Sequence, residues 1–236
     1  MNKIILLLTL IFLLASCSVE KKFLKLFEEG YTQKQSFKIK LPFEYRLGLI
    51  IIKVEIDNET YDFVLDSGGV NILSKELAKK LEVKGVVTKN VGGHQGNYQP
   101  MDFTKIEEIA IGGIKFKEIA SGIGDFNQSL ELGCIKLDGM IGANLMRLAV
   151  WEIDFRNQII TITNTKETLS LGTESKRIPF YTDAVHQPYC NLKINELEEK
   201  NVNIDLGSTG NFNVSYKNYE KVQKELSESK KANRYE

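Results

Sequence analysis

The sequence predicts a mostly β protein, organised as one complete unit followed by the first part of a second. Two observations carry that expectation. From Phe37 onward, runs of apolar residues alternate with polar ones at the two-residue period of strands, with turn residues between them and a single short helical stretch per unit. The second half of the chain then repeats features of the first at an offset of about 138 residues, and repetition at one offset implies duplication of a structural unit.

The first residues read as a targeting segment rather than a folded element. Asn2-Lys3 is a short charged region, and Ile4 to Ala15 is an almost unbroken apolar run, too short for a bilayer-spanning helix of about 20 residues. The run ends in Leu14-Ala15-Ser16-Cys17, which resembles a bacterial lipobox. Residues 1–17 are therefore expected to be a lipoprotein signal peptide, leaving Cys17 lipidated and the protein attached to a membrane of the cell envelope, periplasmic or outer, through that lipid. A plain secretory signal cleaved nearby is the other reading, and both export the protein. Residues 18–36 are assigned as a linker, although Val19, Phe23, Leu26 and Phe27 fall at helical spacing and admit a short helix before Gly30.

Strand periodicity starts with Phe37, Ile39 and Leu41, which alternate with lysines until Pro42 interrupts. Leu47 to Ile56 is a long apolar run, Asp57-Asn58 a hairpin turn, and Tyr61 to Leu65 the returning strand. Ser74 is placed to cap a helix over Lys75 to Leu81, with Glu76 in its first turn and Leu77, Ala78 and Leu81 on one face. A polar, glycine-rich stretch follows at Val91 to Tyr98, flanked by Val86 and Val87 before it and Met101 and Phe103 after it. Ile106 to Ile111 and Ile114 to Ile119, joined by Gly112-Gly113, form the next predicted hairpin, and residues 120–136 read as a loop.

In the second half, Arg177-Ile178-Pro179-Phe180 parallels Lys40-Leu41-Pro42-Phe43, and Asn191 to Ile194 parallels Lys53 to Ile56. Val202-Asn203-Ile204-Asp205-Leu206-Gly207-Ser208 parallels Phe63 to Gly69, and Tyr216 to Leu226 is the helix matching Lys75 to Leu81. The division is thus 37–165 for the complete domain and 166–236 for the partial repeat. The sequence after Leu226 is polar, so the second unit reads as a fragment of a longer protein or as a decayed copy, and its intact first part favours the fragment.

Composition narrows the function. The chain has 236 residues, 42% hydrophobic and 26% charged, which is ordinary for a protein that buries a core. Lys plus Arg equals Asp plus Glu at 31 each, leaving no basic footprint for nucleic acid and no polybasic membrane patch. Cys134 and Cys190 fall one in each half and read most simply as separate small apolar side chains. Neither His94 nor His186 adjoins a nucleophile motif, and no zinc-binding spacing or phosphate loop is present.

The positive signal lies in residues 62–74, D-F-V-L-D-S-G-G-V-N-I-L-S, where an apolar strand runs into Asp66-Ser67-Gly68. A second landmark lies downstream in Leu137-Asp138-Gly139-Met140-Ile141-Gly142-Ala143-Asn144-Leu145-Met146, followed by a closing hairpin over Val150 to Ile162. Together these resemble the active-site turn and the apolar-apolar-Gly segment of retropepsin-like aspartic peptidases. That resemblance implies a retropepsin-like acid-protease barrel and an aspartic endopeptidase acting on a peptide or protein substrate, with no cofactor and no metal. It implies Asp66 and Asp205 as catalytic residues, with Ser67, Gly68 and Gly207 shaping the active-site loops. Gly92, Gly93, His94, Gln95 and Gly96 would belong to the flap that closes over substrate.

Such an enzyme needs two carboxylates on one water, one ionised to take its proton and one protonated to hydrogen-bond the scissile carbonyl. The partner of Asp66 would be Asp205 of the same chain, or Asp66 of a second copy in a homodimer. Two residues depart from the family pattern: Leu206 stands where a Thr or Ser hydroxyl bonds to the opposite loop, and Gly69 where Ala, Ser or Thr is usual. Loss of that hydroxyl leaves a second reading open, an inactive peptide-binding lipoprotein on the same fold.

Overall fold

The computed structural model describes residues 19–232 except residues 34, 93–97, 129, 170–171, 195–196, 211 and 213. The signal peptide and Cys17 thus lie outside the described residues. Residues 19–28 form helix α1, where the sequence admitted a linker or a helix. The reason is apolar: Phe23 and Phe27 are buried, their ring centroids 4.9 Å apart, and Phe23 meets the ring of Phe103 edge-on at 4.9 Å. The segment assigned as a linker is accordingly part of the core, and Tyr31–Thr32 (β1) already joins the main sheet.

Strand β2 (Lys38–Pro42) and β3 (Glu44–Arg46) lead into β4 (Leu49–Ile56) and β5 (Glu59–Asp66). The β4–β5 hairpin turns at Asp57-Asn58, both with positive φ (51° and 63°), the backbone that a two-residue turn between twisted strands requires. The predicted strand over Leu47 to Ile56 begins two residues later, because Leu47 (φ 50°) and Gly48 (φ 84°) form the preceding turn. β6 (Ile72–Ser74) is followed by α2 (Lys75–Lys80), whose Leu77 N–H donates to Ser74 Oγ at 3.0 Å, as the capping pattern predicts.

A long hairpin of β7 (Val87–Gly92), β8 (Tyr98–Ile111) and β9 (Ile114–Gly124) follows. β9 carries on through residues 120–124, expected as loop, because Ala120 and Ser121 are buried and residues 122–124 pair in parallel with β6. Next come α3 (Leu130–Ile135), β10 (Gly139–Gly142), α4 (Ala143–Met146), β11 (Val150–Asp154) and β12 (Ile159–Thr163).

Nine of these strands form one sheet, ordered β1-β9-β6-β10-β5-β4-β8-β7 with β3 beside β4; β11, β12 and β2 form a second. The core lies between them, with Phe63, Leu65, Leu73, Phe116, Ile141, Leu145, Ile160 and Ile162 all essentially inaccessible to solvent. The fold is mostly β, as the sequence predicts.

The second unit repeats the first hairpin in a smaller sheet of β13 (Tyr181–Thr182), β14 (Pro188–Ile194) and β15 (Leu197–Asn203), followed by α5 (Tyr216–Ala232). β14–β15 stands to Asp205 as β4–β5 stands to Asp66. Cys134 is exposed and Cys190 buried, and both are free thiols.

Candidate active site

Asp66 is the last residue of β5, and β10 runs parallel beside it with Gly142 opposite Asp66 and Ile141 opposite Leu65. β10 is wedged between β5 and β6. At Gly142 the approach is so close that an added Cβ would lie 2.0 Å from the carbonyl carbon of Val70, so only glycine fits. Behind the turn, Asn71 and Asn144 are buried: Asn71 N–H donates to Asn144 Oδ1 (2.7 Å), Asn144 Nδ2 to the Ala120 carbonyl (2.9 Å), and Asn71 Nδ2 to Ser121 Oγ (2.8 Å). A buried polar network of this kind fixes a unique backbone path.

The two aspartates predicted from the sequence face each other within one chain, on turns that match across the two units. Gly68 N–H donates to Asp66 Oδ1 at 2.8 Å, and Gly207 N–H donates to Asp205 Oδ1 at 2.8 Å. A Cβ added to Gly68 would sit 2.4 Å from Asp205 Cγ, and one added to Gly207 would sit 2.4 Å from Asp66 Cγ. Each carboxyl therefore packs directly on the glycine of the other turn, which leaves room for no side chain there.

Ser67 ties the turns together. Its Oγ donates to the Ile204 carbonyl at 2.6 Å and accepts from Leu206 N–H at 3.0 Å, and the side chain is buried. The reciprocal bonds are missing because Leu206 has no hydroxyl; its side chain packs instead against the core of the first unit.

Burial, then the charge of Asp205 and a hydrogen bond to it, push the Asp66 carboxyl up from its usual 3.8 to about 7, against the opposing pull of the Gly68 and Gly69 N–H groups. A second carboxyl so close disfavours charge on Asp66, which is the physical cause of that upward shift beside burial.

Of the flap residues, Gly92 ends β7, paired with Tyr98 across the hairpin. Gly93, His94, Gln95 and Gly96 lie outside the described residues. One residue beside the dyad carried no signal in the sequence. Gln187, just before β14, donates from Nε2 to the Gly68 carbonyl at 2.6 Å. No motif marks a glutamine in a turn, and its contact spans two units. Asn71 and Asn144 were equally silent as supports, since a buried polar residue is recognised only by its surroundings. His186 lies against the Phe27 carbonyl (3.2 Å), and burial together with the Arg147 charge lowers its pKa.

Two carboxyls brought onto facing glycine turns form an arrangement in which two acids can act on one water. Residues 52–145, which include Asp66 but not Asp205, match the family model for aspartyl proteases. No curated protein matches the sequence. A solved structure of a retropepsin-like aspartic protease from Rickettsia conorii is similar at 19% identity, covering 56% of this chain and 95% of that one with a TM-score of 0.40.

Proposed function

We propose that this chain is an exported, lipid-anchored aspartic endopeptidase that hydrolyses peptide bonds with a water activated between Asp66 and Asp205. The observation that carries the reading is the mutual packing of each carboxyl on the other unit's glycine, which places two acids on one small volume. Below about pH 7, Asp66 retains a proton and can donate it to the scissile carbonyl oxygen, while Asp205 accepts the proton of the attacking water. The water oxygen bonds to the carbonyl carbon, and the resulting gem-diol collapses with transfer of a proton to the leaving amine. No covalent enzyme intermediate forms. The lipobox-like residues 14–17 support anchoring through Cys17.

A second reading is favoured by Leu206. With one of the two cross-unit hydroxyls missing, the cleft would bind an extended peptide without cutting it. A mixed peptide library incubated with residues 18–236 between about pH 4 and 7, followed by mass spectrometry, separates the two. Cleavage abolished by both Asp66→Asn and Asp205→Asn is the expected result. Loss in Asp66→Asn alone would instead indicate a dyad shared between two copies, and binding without cleavage would establish the second reading.

A further inference from the structure

The turn that carries Asp66 contains two successive glycines, Gly68-Gly69, a pair with little conformational preference of its own. The peptide between them is nevertheless held at both ends. Its N–H, on Gly69, closes the turn on the Asp66 main-chain carbonyl at 3.5 Å and draws the Asp66 carboxyl toward its charged form. Its carbonyl, on Gly68, accepts the 2.6 Å hydrogen bond from Gln187 Nε2. A peptide whose carbonyl accepts a strong hydrogen bond is polarised and becomes a better N–H donor. Gln187 thus acts on Asp66 through one peptide group.

Gln187 is itself fixed. Tyr189 donates its hydroxyl to Gln187 Oε1 at 3.0 Å, which orients the amide with Nε2 toward Gly68. The backbone N–H groups of Val185 and Gln187 donate to Asp183 Oδ1 at 3.0 and 2.9 Å, closing the turn. His186 of the same turn rests on the end of helix α1 through the Phe27 carbonyl.

The pseudo-symmetry explains why this contact falls where it does. The matching turn of the first unit approaches the second active-site loop at Gly48, where an added Cβ would meet Thr209 Cγ2 at 3.4 Å, an ordinary apolar contact. Among the described residues the polar contact falls on one side of the pseudo-axis, and it reaches the loop that a hydroxyl at position 206 would otherwise hold. We propose that Gln187 is a positioning residue for the aspartic pair, locking the Gly68–Gly69 peptide from the opposite unit and compensating for Leu206 and Gly69.

This rests on the reading of Asp66 and Asp205 as the dyad, yet it is testable whether or not peptides are cut. The test is a carbon-13 NMR titration of the Asp66 carboxyl in wild type, Gln187→Met and Tyr189→Phe, with folding checked by circular dichroism. Met keeps the length and bulk of Gln but cannot donate. The expected result is an upward shift of the Asp66 midpoint by about half a pH unit in Gln187→Met and a smaller shift in the same direction in Tyr189→Phe. With a cleavable peptide, kcat should fall about tenfold in Gln187→Met while KM changes less than twofold. An unmoved midpoint in folded Gln187→Met overturns the proposal, even if its melting temperature falls. Should Gln187→Met fail to fold, an unmoved midpoint in Tyr189→Phe overturns it. Wild type that cuts nothing speaks against the peptidase reading and leaves the titration to decide the role of Gln187.

Discussion

Asp66 has a pH signature opposite to that of an ordinary paired carboxylate. Its proton affinity in the native chain extends to about pH 7, whereas an unfolded aspartate releases its proton near 3.8. Between those values the native state binds more protons than the unfolded one, so this residue's contribution to stability falls as pH rises, by up to about 1.4 kcal/mol per pH unit. Asp66→Asn cannot ionise. Urea unfolding of the variant and of wild type at pH 4.5 and 7.5 should show Asp66→Asn gaining on wild type at the higher pH, by a few kcal/mol at most. An equal difference at both values would mean that Asp66 is not the buried proton holder. The motif made the identity of Asp66 legible. Its raised affinity was not, because that depends on burial and on Asp205, about 139 residues away in sequence.

At the scale of the element, the two active-site turns are joined by one serine. Ser67 satisfies both the Ile204 carbonyl and the Leu206 N–H. Ser67→Ala should therefore cost about 1–3 kcal/mol in urea unfolding, since it strands two partly buried backbone groups. It should also reduce any peptide cleavage more than it reduces stability. The hairpin leading to each turn was readable from alternation and from Asp57-Asn58. The extension of β9 into residues 120–124 was not, because Ala120 and Gly122 are weak strand formers, held there by pairing with β8 and, from Gly122 on, with β6.

At the scale of the molecule, helix α1 links the start of the described chain to both units. Phe27 is buried against Phe23 and Phe103, its carbonyl accepts from Arg147 at 3.1 Å, and the same carbonyl lies against His186 of the second unit. Phe27→Ala should cost about 3–5 kcal/mol, measured as a fall in the urea midpoint at unchanged slope. A loss near zero would mean that the helix behaves as the linker assigned from sequence. Helical spacing at residues 19–27 was visible, but the partner that makes the helix part of the core, Phe103, lies on a strand far along the chain.

By itself the sequence determined what is local or repeated: the strand periods, the cap at Ser74, the Asp66-Ser67-Gly68 turn and its echo at Asp205. Each of these is a short pattern with a direct backbone consequence. Tertiary structure alone decided that the two aspartates meet within one chain, that Ser67 provides the cross-unit bonds that Leu206 cannot return, and that Gln187 reaches Gly68. Those facts depend on how two units dock, and docking is set by complementary surfaces and buried hydrogen bonds that have no fixed spacing along the chain.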